Sequence, residues 1–370
     1  MLKVVDVVYH SHNDFKSTSE VIKKHAPSFG YVPFLKDRLD IELIKHFRSE
    51  ATVEVDGVPV RFFKRSNRFW DIPLKTSHYI RSVKPDVVIV EGLVFPIQLI
   101  VLRLLLKKRC AIILQHHGEQ PYRGYKKVFQ RIADRYVDAY MFTSKGNFLE
   151  WVEQKVIKDE QKCFEVLEAS TSFSLSNKQQ SRRRLNMKAG VIFLWVGRLN
   201  QNKDPLTVLA AFEKYLPVNP GARLYLVYQT DELLPQLKGR LSKNRALNDA
   251  VTLVGRVERE DMETWYSAAD FYISASHREG SGYALLEAMS CGCIPIVTHI
   301  PSYLKITKNG EMGFLYPPGD VEYLSFILQH LPLPDVDDLS GRVVRYFNEN
   351  LSFNNIASDL FNLCVSVSSK

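Results

Sequence analysis

The chain of 370 residues is 45% hydrophobic and 24% charged, with a formal net charge of +8 at pH 7. These values exclude a disordered or collagen-like chain and predict a globular protein with an ample core, most simply in two domains. Residues 1–185 carry 32 Lys and Arg against 21 Asp and Glu, whereas residues 186–370 carry 17 against 20. The basic first half indicates an anionic partner, such as a phospholipid surface or a phosphorylated acceptor, unless its charges merely cover solvated faces.

The first half alternates segments with strand and helix patterns, which favours a parallel sheet with helices on both faces. Lys3 and Asp6 interrupt the apolar N-terminus, which therefore predicts a first strand and not a signal peptide. The predicted elements are, in chain order, strand 4–9, helices 19–25 and 41–47, strands 53–55 and 58–62 around Asp56-Gly57, helix 72–83, strand 87–90, helix 96–108, strand 111–114, helix 125–135, strand 139–143 and helix 147–156.

The longest apolar stretch, 87–106, contains Glu91, Pro96 and Arg103. It resolves into a strand, a turn and a helix, so no membrane span is predicted. Five scattered cysteines favour a reducing compartment over a disulfide framework. Cys291 and Cys293 are spaced C-x-C without a second cysteine or histidine pair, which favours packing over zinc binding.

A polar lapse at 172–188 predicts the junction between two domains, 1–180 and 186–350. Its arginine-rich run 178–184 is either a solvated helix face or linker, or a contact to an anionic ligand. The strand and helix pattern then restarts and predicts a second doubly wound sheet. The predicted elements are strand 191–196, helix 205–215, strand 223–228, helix 233–241, strand 251–253, helix 262–268, strand 271–275, helix 284–290, strand 294–297, helix 321–330 and a last helix 353–367.

Two loops at predicted strand ends carry unusual residues. Arg198 and Lys203 follow Gly197 and can converge on a diphosphate, because Arg offers a planar fork and Lys a point charge. By themselves they could equally be two solvent-facing cations. Gly255, followed by Arg256 and Val257, would let a flat base approach the backbone closely.

A third loop combines two glycines with two carboxylates. Gly280 and Gly282 feed the helix that starts near Ala284, and such a turn is an anion site because free N–H groups and the positive helix end point the same way. Glu279 and Glu287 would lie about 12 Å apart if both were helical. That is wider than the roughly 5–9.5 Å of a glycosidase pair, so the two carboxylates are expected to bind different parts of one ligand.

Together these loops resemble the family-4 (group 1) retaining glycosyltransferases of the two-domain GT-B fold. The resemblance covers about residues 190–320 and includes the E-x7-E signature of that family. The matching pieces are WVGRL at 195–199 with Lys203, VGRV at 254–257, AADF at 268–271, EGSG at 279–282 with EAM at 287–289 and Gly292, and GEMGF at 310–314 with PPGD at 317–320.

The resemblance implies an α/β protein in which two doubly wound Rossmann-like domains face each other across a cleft, the first binding acceptor and the second a nucleotide sugar. It implies that segment 351–370 crosses back onto the first domain. The donor, UDP- or GDP-linked, would be a substrate, with no metal and no cofactor. Arg198 and Lys203 would hold the diphosphate, Glu287 the ribose and Glu279 the donor sugar. The remaining donor-binding positions are Gly255, Arg256, Val257, Gly280, Gly282, Tyr283, Ala284 and Leu285.

The first half matches the family less well. QHHG at 115–118 resembles the segment with an active-site histidine, and His117 is the position that aligns. Glu279, His117, Arg198 and Lys203 are therefore the expected catalytic residues. The loop 10–15, HSHNDF, has none of the glycines usual after the first strand, and segment 166–173 has neither the usual glycine nor the usual aspartate.

The expected function is transfer of a sugar to a saccharide or glycolipid in surface glycan synthesis, in the cytoplasm or at the inner membrane face. One alternative is a GT-B nucleotide-sugar epimerase, which would turn over donor without an acceptor. A nucleic-acid binder is disfavoured because the sequence has no basic and aromatic recognition module. A catalytically inactive scaffold is disfavoured because all four of Arg198, Lys203, Glu279 and Glu287 are present.

Overall fold

A computed structural model describes residues 1–65, 70–106 and 110–369 and divides the chain into two compact units. The first unit contains Met1–Ser170 and Phe353–Lys370, and the second contains Thr171–Ser352. The elements of 1–170 are β1 Leu2–Ser11, α1 Thr18–Phe29, β2 Leu39–Phe47, β3 Ala51–Val55, β4 Val58–Lys64, α2 Leu74–Val83, β5 Val87–Glu91, α3 Pro96–Leu105, β6 Ala111–Gln115, α4 Tyr125–Ala133, β7 Ala139–Phe142, α5 Lys145–Glu153 and β8 Cys163–Glu165.

The described strands of the first unit form one sheet in the order β3-β4-β2-β1-β5-β6-β7-β8. All neighbours are parallel except β3 and β4, which form the predicted hairpin. Asp56 and Gly57 make its turn with φ of 52° and 84°, the left-handed values that a tight hairpin requires. The central strands are buried on both faces, as their continuous apolar runs predict.

In the second unit the elements restart and alternate more regularly. They are α6 Lys178–Arg184, β9 Ile192–Gly197, α7 Pro205–Tyr215, β10 Arg223–Tyr228, α8 Leu234–Leu241, α9 Arg245–Ala250, β11 Val251–Gly255, α10 Arg259–Ala268, β12 Phe271–Ser274, α11 Tyr283–Ser290, β13 Ile294–Thr298, α12 Pro301–Ile306, β14 Phe314–Tyr316, α13 Val321–Gln329 and α14 Val336–Asn350; α15, Phe353–Ser368, follows in the first unit.

The parallel sheet of the second unit has the order β11-β10-β9-β12-β13-β14. Numbered from β9, this is the order 3-2-1-4-5-6 of the doubly wound dinucleotide-binding fold. The chain reverses direction across the sheet between β9 and β12, and ligands of such folds bind outside the carboxyl ends of the strands at that point. The stacked rings of Phe193 and Phe271, 5.2 Å apart, join β9 to β12 within the core.

The C-terminal helix packs on the first unit, which is the return that the resemblance implies. A Cβ atom on Gly30 would lie 2.4 Å from the ring of Phe353, so α15 seats directly on the backbone there. The guanidinium of Arg38 lies 3.9 Å from the ring centroid of Phe361. The predicted helix 96–108 ends at Leu105, and its last two predicted positions lie outside the described residues.

Two expectations were wrong. Segment 41–47 is strand β2 and not a helix: β1 and β4 cover both its edges, and burial on both faces replaces strand alternation with spacings that mimic a helix.

The unit boundary lies at Ser170, before the predicted junction, because the run 178–184 is helix α6 of the second unit. The cations of α6 are in part structural, since Lys178 and Arg182 bind Asp270 at 3.0 and 2.7 Å.

Asp270 is the polar centre of this attachment. It is 8% exposed and also accepts a hydrogen bond from the backbone N–H of Ile192 at 2.9 Å. Removing one partner of a buried ion pair costs roughly 3–5 kcal/mol. We expect Asp270→Ala to lower the free energy of unfolding by about that amount in urea denaturation. The matched control is Asp261→Ala, whose exposed pair with Arg184 should contribute under about 1 kcal/mol. Equal losses in both variants would contradict this role of Asp270.

Candidate active site

Two loops meet at the carboxyl ends of β9 and β12. The N–H of His277 donates to the carbonyl oxygen of Asn202 at 2.8 Å, and the Asn202 amide donates to the carbonyl oxygen of Arg278 at 3.0 Å. The imidazole Nε2 of His277 lies 3.1 Å from a carboxylate oxygen of Asp204. Asp204 has a φ of 41° and caps α7 by accepting from the N–H of Thr207. The two loops therefore form one braced rim at the point where the sheet order reverses.

Lys203 and Glu279 form an ion pair inside this rim. The ammonium of Lys203 donates to Oε1 of Glu279, and the two side chains are 25% and 14% exposed. Ser276 Oγ donates to the same oxygen at 2.8 Å, and the hydroxyl of Tyr303 on α12 does so at 3.2 Å. Two residues that the sequence predicts to contact one ligand are thus in direct contact, 76 positions apart in the chain.

The N-terminus of α11 faces the same loop. Gly282 precedes it with a φ of 66°, and no side chain caps the helix. A Cβ atom at Gly282 would lie 2.8 Å from Cδ1 of Ile306, so both backbone conformation and space require glycine. The N–H groups of Leu285 and Leu286 donate to the carbonyl oxygen of Gly282 at 3.0 and 3.1 Å, so the helix starts directly at this turn. This is the helix N-terminus, with Tyr283, Ala284 and Leu285 in its first turn, that the sequence predicts as an anion site.

Glu287 lies within α11 in a separate environment. It is 9% exposed, so it is not a surface helix residue. Arg259 binds its Oε1 at 2.8 Å and the hydroxyl of Tyr266 donates to its Oε2 at 3.0 Å. Burial raises the pKa of Glu287, while the charge of Arg259 and the hydrogen bonds from Tyr266 and Arg259 oppose the rise. Glu279 lies outside the helix, so the helical spacing assumed for the pair does not apply. The partners of Glu279 are Lys203, Ser276 and Tyr303, whereas those of Glu287 are Arg259 and Tyr266.

The other predicted donor-binding residues divide by position. Arg198 opens the loop of Lys203, and its exposed side chain makes no hydrogen bond or ion pair among the described residues. Gly255 ends the edge strand β11 with a φ of 85°. Arg256 is exposed and pairs with Glu258 at 3.3 Å, and Val257 is half-buried. The residue of this segment that contacts Glu287 is Arg259, which the sequence analysis did not single out.

His117 of the first unit is surrounded by carboxylates. Its ring Nδ1 contacts the carboxylate of Glu168, and its ring Nε2 lies 3.6 Å from that of Glu91. The backbone N–H of His117 donates to the carboxylate of Glu119 at 2.7 Å. Burial by itself would lower the pKa of His117, but the charge and hydrogen bond of Glu168, with Glu91 and Glu119, outweigh it and raise the pKa to about 10. His117 is therefore an imidazolium at neutral pH.

Glu168 stands in the segment 166–173 that departs from the family pattern, and Glu91 ends β5 beside the strand β6 that leads to His117. Both are acidic residues at or shortly after the end of a strand, and this position is the sequence signal that could have identified them.

His12 of the glycine-free loop after β1 lies against His25 of α1, and both histidines are uncharged at neutral pH. The rings of His12 and His25 lie 4.6 Å apart, and His12 is 4% exposed. Burial, the charge of Lys45 and the neighbouring histidines lower the pKa of His12 to about 3. Burial and Lys45 likewise lower the pKa of His25 to about 4.

Within the described ranges, no group of three or more His, Cys, Asp or Glu side chains is arranged to hold a metal ion. In the same ranges, no helix is long and apolar enough to cross a bilayer.

Comparisons with known proteins agree with this geometry. Residues 177–330 match the family model described as glycosyl transferases group 1. Over 153 residues the chain is 28% identical to a GDP-mannose:cellobiosyl-diphosphopolyprenol alpha-mannosyltransferase of Xanthomonas oryzae, covering 41% of this chain and 40% of that protein. Over 182 residues it is 30% identical to the alpha-monoglucosyldiacylglycerol synthase of Streptococcus pneumoniae, covering 47% and 40%. The matches thus span about two fifths of the length of these relatives.

Solved structures show the fold over the whole chain. Sucrose-phosphate synthase from Thermosynechococcus elongatus superposes with a TM-score of 0.76 at 18% identity, covering 100% of both chains. Anabaena Alr3699/HepE in complex with UDP and glucose superposes with a TM-score of 0.73 at 13% identity, covering 99% of this chain and 100% of that one. The chain has the GT-B fold, as the resemblance implies.

The charge on His117 can be tested by NMR titration. We expect its imidazole to remain protonated through pH 8, while His12 and His25 remain neutral down to about pH 5. Because the folded pKa is raised above 6.5, this group contributes stability that is complete below pH 6.5 and is lost as pH rises through about 10. In Glu168→Gln the pKa of His117 should fall, with Glu165→Gln on the exposed end of β8 as control. An unchanged pKa in Glu168→Gln would contradict the pairing.

Removing Arg259 should lower the stability of the protein, because the buried carboxylate of Glu287 then lacks its cationic partner. Above the raised pKa of Glu287 its carboxylate is ionised and needs its partner, whereas below that pKa the neutral acid does not. We expect Arg259→Ala to lose about 2 kcal/mol of unfolding free energy at pH 8 and much less at pH 4.5. The loss is below the usual 3–5 kcal/mol because Arg259 is 38% exposed. Adding Glu287→Gln should remove the pH dependence, and a loss independent of pH would refute this account.

Proposed function

We propose that this chain, whose residues 177–330 match the glycosyl transferases group 1 family model, transfers a sugar from a nucleoside-diphosphate sugar to a saccharide or glycolipid acceptor with retention of anomeric configuration. One observation carries the proposal. Lys203 and Glu279 come from different loops and meet at the switch point of a Rossmann sheet, beside the uncapped N-terminus of α11. Such a site offers cations and the positive end of a helix to a diphosphate and carboxylates to sugar hydroxyls.

In the donor complex, Lys203 and Arg198 bind the diphosphate and stabilise the charge on the leaving nucleoside diphosphate. The N–H groups at the start of α11 contact the same oxygens. Glu279, already oriented by Ser276 and Tyr303, accepts hydrogen bonds from donor-sugar hydroxyls. In this proposal the charge of the diphosphate is stabilised by groups of the chain itself, so the proposed reaction is metal-independent.

The ribose end of the donor is assigned to Glu287. Arg259 and Tyr266 each occupy one lone pair of its carboxylate and hold it in place, and the second lone pair of each oxygen is left for a ribose hydroxyl. Gly255, Arg256 and Val257 form the base side of the proposed site. Arg259 and Tyr266 are thereby positioning residues for donor binding, and we propose UDP or GDP as the nucleotide.

His117 acts in this proposal as a hydrogen-bond donor and electrostatic stabiliser. A pKa of about 10 leaves almost none of the imidazole neutral at pH 7, so it does not serve as a general base. Glu168 and Glu91 keep it charged and fix its ring. Its chemical role would be to stabilise an oxygen that gains negative charge during transfer.

Two of the relatives reported above carry lipid terms in their names, which supports an acceptor at a membrane. One is named for a diphosphopolyprenol-linked cellobiose and another as a diacylglycerol glycolipid synthase. The first half of this chain carries a net charge of +11, from 32 basic and 21 acidic residues. We propose a peripheral enzyme at an anionic membrane surface in glycan or glycolipid synthesis. The relatives reported above are named as transferases or synthases, which gives no support to the epimerase or nucleic-acid alternatives.

Nucleotide sugars should stabilise the protein by mass action. At a ligand concentration 100 times Kd the gain is about 2.7 kcal/mol, which is a rise of several degrees in Tm. We expect this with a UDP- or GDP-sugar, and Lys203→Ala should weaken binding about 10- to 100-fold because a hydrogen bond to a charged group contributes roughly 1.5–3 kcal/mol. Glu279→Gln should retain nucleotide binding and lose transfer.

Lys214→Ala is the matched control, since Lys214 pairs with Glu322 on an exposed surface. It should leave donor affinity unchanged. The proposal fails if no nucleotide sugar raises Tm, or if donor without acceptor is converted to its epimer.

A further inference from the structure

Helix α4 carries its apolar stripe toward solvent. Tyr125 is 61% exposed and Val128 52%, and Phe129 and Ile132 are half-buried. Their spacing of i, i+3, i+4 and i+7 defines one face of a helix. A helix that helped to form the core would bury that face, whereas α4 presents it outward.

A different side of α4 attaches the helix to the first unit. The buried residues of α4 are Gln130 and Ala133. The Gln130 amide donates to the carbonyl oxygen of Leu93 at 3.0 Å and accepts from the N–H of Tyr122 at 2.9 Å. The attachment of α4 thus rests on a small residue and a satisfied amide, while Tyr125 and Val128 of the stripe stay exposed.

A second element extends the apolar surface. Trp70 is 57% exposed, and its ring meets that of Phe129 edge-on with centroids 5.7 Å apart. Exposed tryptophan and tyrosine side chains, such as Trp70 and Tyr125, are typical of the polar–apolar boundary of a bilayer. We call Trp70, Tyr125, Val128, Phe129 and Ile132 the α4 patch.

The charged residues of α4 and of the turn before it are all basic. Residues 120–133 contain Arg123, Lys126, Lys127 and Arg131 and no acidic residue. Arg131 lies along one flank, where it donates to the carbonyl oxygens of Lys155 and Gln154 at 3.0 and 3.3 Å. Arg135 follows and is exposed. Aliphatic stems can thus lie along the stripe while their charges reach its polar edge.

The basic residues indicate which kind of partner would cover the α4 patch. In a two-fold dimer through the α4 patch the same cations would face one another, and like charges in contact are unfavourable. An anionic phospholipid surface is complementary, because acyl chains cover the stripe and phosphates meet the cations.

We propose that the α4 patch docks the protein on an anionic phospholipid bilayer, with the stripe at the boundary of headgroups and acyl chains. The surface deepens the proposed function, since it would bring the enzyme to a lipid-linked acceptor, and it rests on that function only for its biological purpose. The contact is reversible and parallel to the bilayer, as for other interfacial helices.

The test uses the full chain and vesicles of phosphatidylcholine, with or without phosphatidylglycerol. We expect co-sedimentation only with the anionic vesicles, and we expect salt to weaken it. Lipids with brominated acyl chains should quench Trp70, because Trp151 and Trp195 are buried in the cores and Trp265 is half-buried. The double variant Tyr125→Ser/Val128→Ser should lower the partition coefficient at least tenfold. Arg123→Gln should lower it about fivefold, equivalent to the roughly 1 kcal/mol of one basic residue near such a surface.

Tyr323→Ser/Phe326→Ser is the matched control, since these residues are 49% and 58% exposed on α13 of the second unit. It should bind vesicles like the wild type. Failure of the wild type to bind anionic vesicles, an equal loss in the α13 control, or a dimer in solution that only the α4 variant dissociates would overturn the proposal.

Donor-induced stabilisation, measured on the same α4 variant, separates this proposal from the enzymatic one. It should remain unchanged. Vesicle binding without any donor stabilisation would refute the proposed function and leave the docking surface in place. Donor stabilisation without vesicle binding would refute the docking surface and leave the proposed function in place.

Discussion

A charged side chain can be buried in this protein only with a partner of opposite charge or hydrogen bonds that replace water, and the principal features of both units follow from that constraint. Asp270 at the start of β12 draws Lys178 and Arg182 onto the second sheet and so adds α6 to that unit. Glu287 in an otherwise apolar helix requires Arg259 and Tyr266. In the first unit His117 gathers Glu168, Glu91 and Glu119. Fold boundaries and candidate site residues are thus determined by the same electrostatic requirement.

Topology decides where these pairs can form. All strands of a parallel sheet end at one edge, and the reversal of strand order between β9 and β12 opens a crevice there. Lys203 and Glu279 meet at that crevice although they lie far apart in the chain. The rim that holds them is built largely from backbone and short polar contacts of Asn202, Asp204 and His277, which keeps the two loops in register.

The sequence predicted most of this framework because its signals are local. Continuous β-branched runs indicated the buried strands β5 and β6, and Asp56-Gly57 indicated the hairpin. Segment 41–47 misled because burial on both faces removes the alternation that marks a strand. Helix α14 was missed although Val336, Leu339, Val343 and Phe347 have helical spacing, since polar residues and Gly341 dilute the pattern. The motif residues of the proposed donor site could be named from the sequence, but their partners could not. Arg259, Tyr303 and Glu168 are ordinary residues in sequence, and only the fold brings them to Glu287, Glu279 and His117.

The ion pair of Lys203 with Glu279 also bears on how the proposed site could distinguish a nucleotide sugar from a nucleotide. Both side chains are partly buried, so neither is stable alone, and each neutralises the other before a ligand arrives. A diphosphate would offer Lys203 a new counter-ion. Among the described residues, the Glu279 carboxylate would then keep the hydrogen bonds from the hydroxyls of Ser276 and Tyr303. Sugar hydroxyls supply the donors that Glu279 then lacks. On the proposed function, a nucleotide sugar gives new partners to both Lys203 and Glu279, whereas a nucleotide without sugar gives one only to Lys203. The ion pair present before binding would therefore make tight binding depend on the sugar itself.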